Sequence, residues 1–130
     1  MIIEIKKLSN KATTPVRHLE GAGLDIFTAE ETIIPAHSAK LIKTDLQIKI
    51  PNNHMGLLMG RSGVSLNANL IIHSGIIDQD YRGNIGIIIH NLNKENIKIK
   101  SEKKIAQLII IPIIQPIIKI VDSMDKTERD

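Results

Sequence analysis

Isoleucine occupies 28 of the 130 positions and comes in short bursts rather than one long run. Its branched Cβ stiffens the first side-chain torsion, which suits the pleated surface of a strand better than a helix. Two stretches alternate cleanly. Leu46, Ile48 and Ile50 are interleaved with Gln47 and Lys49, and Ile97 and Ile99 with Asn96, Lys98 and Lys100. A period of two reads as strands with one face buried and the other wet. "MIIEI" at 1–5 and "IIKIV" at 117–121 are further strand candidates, and "PAHS", "PNN" and "NKEN" supply turns between such segments. About ten short strands at this spacing point to an all-β sandwich or barrel. Helical signals are scarce. "RSGVSLNAN" at 61–69 has room for a turn or two of helix after Ser62.

The rest of the composition narrows the class. Residues 1–121 read as a single β domain, and 122–130, polar but for Met124, as a flexible tail. No cysteine is present, so disulfides and thiol chemistry are excluded. No basic N-terminal stretch leads into an apolar run, so no signal peptide is expected and a cytoplasmic location is, or a nuclear one in a eukaryotic or viral setting. The most apolar segment, 105–120, is interrupted by Gln107, Pro112, Gln115, Pro116 and Lys119. A membrane helix needs about 20 mostly apolar residues, so no membrane partner is expected. A net charge of +3 is too mild to demand nucleic acid, and Phe27 and Tyr81 are the only aromatic side chains on which bases could stack. That charge suits a small polyanion such as a nucleotide.

Several segments mix polar groups into apolar surroundings. In "SGIIDQDYRGNIGIIIHN", 74–91, two apolar strands flank a polar corner. Gly75 and Gly83 would let backbone approach a ligand or take a positive φ. Asp78, at the edge of an apolar wall and with Arg82 nearby in sequence, could orient and deprotonate a water, or could cap a turn. In "GRSGVS", backbone N–H groups and the Ser62 hydroxyl could hold phosphate oxygens, or Ser62 could cap a helix. Asp25, inside "GAGLDIFTAEE", requires a partner if buried: an arginine, a metal-bound water, or a structural salt bridge. Gln107, inside "KKIAQLII", must find hydrogen bonds to backbone, phosphate or water if buried. The five histidines show no metal-ligand spacing, and no Walker loop or nucleophile elbow is present.

Taken in order, "AGLDIFTA", "GRSG", "GIIDQDYRGNIG" and "KKIAQLI" resemble the first four motifs of the trimeric dUTP diphosphatases (dUTPases), over about residues 20–110. The resemblance implies a jelly-roll-like β fold and a homotrimer with active sites between subunits. It implies hydrolysis of dUTP to dUMP and pyrophosphate with Mg2+. Asp78 would be the general base for a water attacking the α-phosphorus. Tyr81 would pack on the deoxyribose and reject a 2′-hydroxyl. The hairpin His73, Ser74, Gly75 and Ile77 would read uracil through its backbone. Ser62 and Gly63, with Arg61 beside them, would bind phosphate oxygens. Gln107 would contact phosphate or the attacking water, and Asp25 would hold magnesium through water.

Two features bear on that expectation. Deoxycytidine triphosphate deaminases are similar in layout but carry a catalytic Glu ten residues after the hairpin Asp, where this sequence has Ile88. Ile88 cannot shuttle a proton. The family's fifth motif is a glycine-rich C-terminal arm containing a Phe, whereas this sequence reads "KTERD" at 126–130. An open site admits water and loses phosphate contacts. The second reading is therefore a dUTPase-like nucleotide-binding or regulatory trimer with little or no turnover.

Overall fold

The computed structural model describes residues 1–129; Asp130, the last residue of the expected tail, lies outside the described residues. Among the described residues there are twelve strands and one helix. In chain order they are β1 (Glu4–Lys7), β2 (Val16–Arg17), β3 (Leu24–Phe27), β4 (Thr32–Ile34), β5 (Ala39–Lys43), β6 (Leu46–Lys49), β7 (His54–Gly60), α1 (Ser62–Ala68), β8 (Leu70–Ile72), β9 (Gly75–Ile77), β10 (Gly86–Asn91), β11 (Ile97–Ile99) and β12 (Lys104–Pro112).

The largest sheet has the order β2-β3-β12-β7-β9, a second runs β5-β10-β8, and β1-β6 and β11-β4 form two-stranded ribbons. All pairings are antiparallel. The period-two reading holds in β6, where Leu46 and Ile48 are buried and Gln47 and Lys49 face out. It holds in β11, where Ile99 is buried, Ile97 half-buried and Lys98 exposed. β10 alternates in the same way, with Ile87 and Ile89 buried while Ile88 and His90 are not. Ile26, Ile34, Ile42, Ile48, Leu58 and Ile89 belong to one buried cluster to which every sheet contributes. The sheets thus close around a single core as a jelly-roll-like fold, with each fully buried isoleucine contributing roughly 1.5–3 kcal/mol.

The helix forms where the sequence places it and ends at Asn69, in the left-handed region with φ 51°, which asparagine tolerates at a helix C-terminus. The strand expected at 117–121 does not form. The last strand ends at Pro112, and Ile114, Ile117, Ile118 and Ile120 are 88–97% exposed. Pro112 and Pro116 cannot donate to a ladder, and no described strand of the same chain pairs with this segment. "MIIEI" becomes strand only from Glu4. No helix among the described residues is long and apolar enough to cross a membrane.

Candidate functional site

The centre of the large sheet aligns three of the sequence segments. Gln107 of β12 stands opposite Asp25 of β3 on one side and Met59 of β7 on the other. Register partners share a face of the sheet, so Asp25 and Gln107 project together. β7 ends at Gly60, and Arg61 follows in extended conformation (φ −101°, ψ 133°) as the residue before α1. No side chain caps this helix; the Ser62 hydroxyl is exposed and, among the described residues, makes no hydrogen bond. Gln107 likewise has its amide uncommitted.

Asp25 is buried and faces the Lys104 and Arg61 cations and the His18 ring. Lys104 Nζ lies 2.7 Å and His18 Nε2 3.1 Å from its Oδ2, and Arg61 Nη1 lies 3.5 Å from its Oδ1. Burial pushes the carboxyl's pKa up, but the Lys104 hydrogen bond, the Arg61 and Lys104 charges and the His18 contact outweigh it, and the net shift is downward. The local geometry comes from a bulge. The β12–β3 register slips between Lys104 and Ala106, so Ile105 and Ala106 both turn into the core while Lys104 meets Asp25. Beside this cluster a cleft of about 620 Å³ opens between α1, β11 and β12, lined by Arg61, Ser62, Gly63, Lys98, Lys103 and Lys104. Its charge is positive and its size is that of a small-molecule site.

The two apolar strands around the polar corner do not pair with each other as the expected hairpin would: β9 joins β7, and β10 joins β5 and β8. The loop after β9 makes a second, smaller cavity of about 170 Å³, walled by Leu58, Gly75, Ile77, Tyr81 and Ile85 with Asp78 at its rim. Asp78 is exposed. Its carboxylate has no ion pair or hydrogen bond among the described residues. Arg82, the cation expected beside it, instead donates to the carbonyls of Gln79 (2.7 Å) and Tyr81 (2.8 Å) and so braces its own loop. No glycine among the described residues has a positive φ, so Gly75 and Gly83 serve other ends. A side chain at Gly83 would collide with the Tyr81 ring, which lies across it. A side chain at Gly75 would meet nothing within 4 Å, so nothing inside the protomer calls for glycine there. His73 packs beside His90 with ring centroids 6.0 Å apart, and the Ser74 hydroxyl donates to Met59 Sδ at 3.5 Å.

The two groups of residues are well separated within one chain. Ile77 pairs with Gly56, which puts Asp78 level with Met55; Gln107 pairs with Met59. Four residues along β7 span about 13 Å, and β9 and β12 are two strand spacings apart, about 10 Å. Asp78 and Gln107 of one protomer therefore cannot touch the same water, and Arg61 and Ser62 are farther still along the same line.

Among the described residues no group of three or more His, Asp or Glu side chains could hold a metal ion. The cations around Asp25 do not suit a bare resident ion. The cluster does fit a magnesium ion that arrives on phosphates and keeps its waters, because Asp25 Oδ1 faces only the longer Arg61 contact and retains acceptor capacity.

Sequence reasoning overlooked several contributors. His18 and Lys104 hold Asp25 across 7 and 79 positions of chain (25 − 18 and 104 − 25); the basic pair in "KKIAQ" was the available signal for Lys104. Asp45 and Asn84, which brace the Tyr81 loop, carry no signal in the sequence alone.

The dUTPase family model matches residues 10–130. A rat deoxyuridine 5′-triphosphate nucleotidohydrolase is 39% identical over 95% of this chain, and a human one, described as mitochondrial, is 38% identical over 99%. The chain spans 60% of the rat protein's length and 52% of the human one's. Among solved structures, the dUTPase of Staphylococcus bacteriophage 80alpha superposes with a TM-score of 0.91 at 33% identity, covering 96% of this chain and 99% of that one. A point mutant of the dUTPase of S. aureus phage phi11, described as coordinating a structural Mg(II) ion, reaches 0.92 at 33% identity over 97% and 100%. Matched from Asn10 onward in sequence and nearly end to end in fold, this chain belongs to the dUTPase family.

Proposed function

We propose that the protein hydrolyses dUTP to dUMP and pyrophosphate, in sites assembled from more than one copy of the chain. The observation that carries this is the contrast between its two carboxylates. Asp25 is paired with Lys104 and Arg61, while Asp78 stands uncommitted at the rim of an apolar cavity. A base must be free to accept a proton; a carboxylate that already neutralises lysine and arginine is better suited to order a phosphate site. The dUTPase of phage 80alpha solved with dUpNHpp supports a deoxyuridine nucleotide as the ligand class.

In this reading Arg61, the Ser62 hydroxyl and Gly63 hold phosphate oxygens, with Gln107 reaching phosphate or the attacking water. Magnesium bound to the triphosphate would neutralise its charge, with Asp25 touching the ion through water. The Asp78 carboxylate orients a water toward the α-phosphorus and takes its proton. Fixed general bases contribute typically about 10²–10⁴ in rate. Tyr81 walls the deoxyribose, and the backbone from His73 to Ile77 meets uracil, with Gly75 leaving room for close approach. The separation of Asp78 from Gln107 within one protomer supports the homotrimer: one copy supplies the phosphate cluster and a neighbour the Asp78 loop. The exposed Leu41, Ile71 and Ile88 on the second sheet, and the isoleucines of 114–120, are apolar surface that such neighbours would bury.

Purified protein with magnesium should release pyrophosphate from dUTP. Asp78→Asn should abolish turnover while retaining affinity for a non-hydrolysable dUTP analogue. If the unaltered chain releases no pyrophosphate, the reading fails.

A further inference from the structure

The loop bearing Tyr81 is anchored from across the fold. Asp45 lies between β5 and β6 with φ 55°, a left-handed conformation that costs any residue other than glycine some energy. Its carboxylate accepts a hydrogen bond from the Ser9 hydroxyl at 2.7 Å on Oδ2 and one from the Asn84 amide nitrogen at 2.9 Å on Oδ1. Its own backbone N–H donates to Asn84 Oδ1 at 3.1 Å. Asn84 is thereby gripped at both ends of its amide. The Asn84 backbone carbonyl in turn accepts the Tyr81 hydroxyl at 3.2 Å. That bond ties down the end of the ring, whose hydroxyl makes no other hydrogen bond among the described residues.

We infer that Asp45 is a positioning residue for sugar selection, setting the pose of the Tyr81 ring through Asn84. The inference rests on the dUTP reading for its choice of Tyr81 as the wall against the deoxyribose. The Ser9 hydroxyl, and after it the Asn84 amide, hold the Asp45 carboxyl below the usual carboxylate range. An ionised carboxylate only accepts, so the Asn84 amide cannot flip without losing its donor's partner. The grip fixes the one carbonyl to which the Tyr81 hydroxyl is tied. A wall that must exclude a single 2′-hydroxyl tolerates little displacement.

Tyr81 is the chain's single tyrosine and there is no tryptophan, so near-ultraviolet circular dichroism reports the ring's setting without any turnover. Asp45→Asn should weaken that signal and lower the preference for dUTP over UTP in kcat/KM by roughly ten- to a hundredfold. Combining Asp45→Asn with Asn84→Asp again faces a carboxylate with an amide and should recover both. The inference is overturned if Asp45→Asn leaves the Tyr81 signal and the preference unchanged, or if the exchanged pair folds cooperatively and recovers neither. Should the unaltered protein fail to hydrolyse dUTP, the hydrolase reading falls separately. The Tyr81 signal then still decides the coupling: lost and recovered upholds it, unchanged overturns it.

Discussion

Lys104 Nζ sits 2.7 Å from Asp25 Oδ2 although the two residues are 79 positions apart (104 − 25). The pairing makes Asp25 a point of acid sensitivity. Its carboxyl is held below the ordinary value in the fold, so it loses its proton more readily folded than unfolded. The stabilisation is therefore complete above the unfolded pKa, about 3.9, and disappears as pH falls through the folded value. Thermal melts against pH should show this loss, and Asp25→Asn should lack that component. At neutral pH the same substitution leaves Lys104 and Arg61 without their counter-charge and should cost about 1–3 kcal/mol.

If each site draws its base from one protomer and its phosphate ligands from another, inactive chains should complement each other. Asp78→Asn trimers and Gln107→Ala trimers would each be severely impaired. Mixed and refolded together, a fraction of their sites carry both native residues. Pyrophosphate release should rise well above either parent; mixtures no more active than the parents would place the whole site in one chain.

Gly83 is required by a contact rather than by its backbone angle. A Cβ there strikes the hydroxyl end of the Tyr81 ring, and the exposed ring can swing outward, so Gly83→Ala should displace it at a small stability cost, about 0.5–1 kcal/mol. Discrimination against UTP should fall more than kcat for dUTP does. Gly75→Ala meets no atom of its own chain and should leave the melting temperature nearly unchanged while raising KM. Parallel melts and substrate titrations separate the two.

Residues 114–121 have the composition of a strand and no partner strand in the protomer. Ile117→Ser with Ile118→Ser removes only side chains that are already exposed, so the secondary structure by circular dichroism should be retained. Sedimentation should nonetheless shift toward smaller species, because a neighbour would no longer gain that apolar surface. Unaltered sedimentation would remove this segment from the interface.

Local chemistry by itself makes much of the fold legible. The alternation at 46–50 and 97–99 requires one wet and one buried face, and β6 and β11 have them. The glycine-flanked "IIDQDYRG" reads as a polar corner between apolar strands, and residues 78–85 connect β9 to β10. The strand expected at 117–121 failed because pairing is not local. Isoleucine favours a strand, but a strand exists only where another backbone can accept and donate to it.

What the sequence determined alone was therefore the kind of element, the order of the motifs and the chemistry each could carry. Tertiary structure decided which carboxylate would be free. Asp25 and Asp78 are the same side chain, each next to isoleucine. Only folding brings Lys104, His18 and Arg61 around the first and leaves the second uncommitted at a cavity's edge. The long-range pairings of Asp45 with Ser9 and Asn84, across 36 and 39 positions, were equally invisible. Charge pairing and hydrogen bonding depend on distances of a few ångströms in space, and those distances follow from strand register and a single bulge.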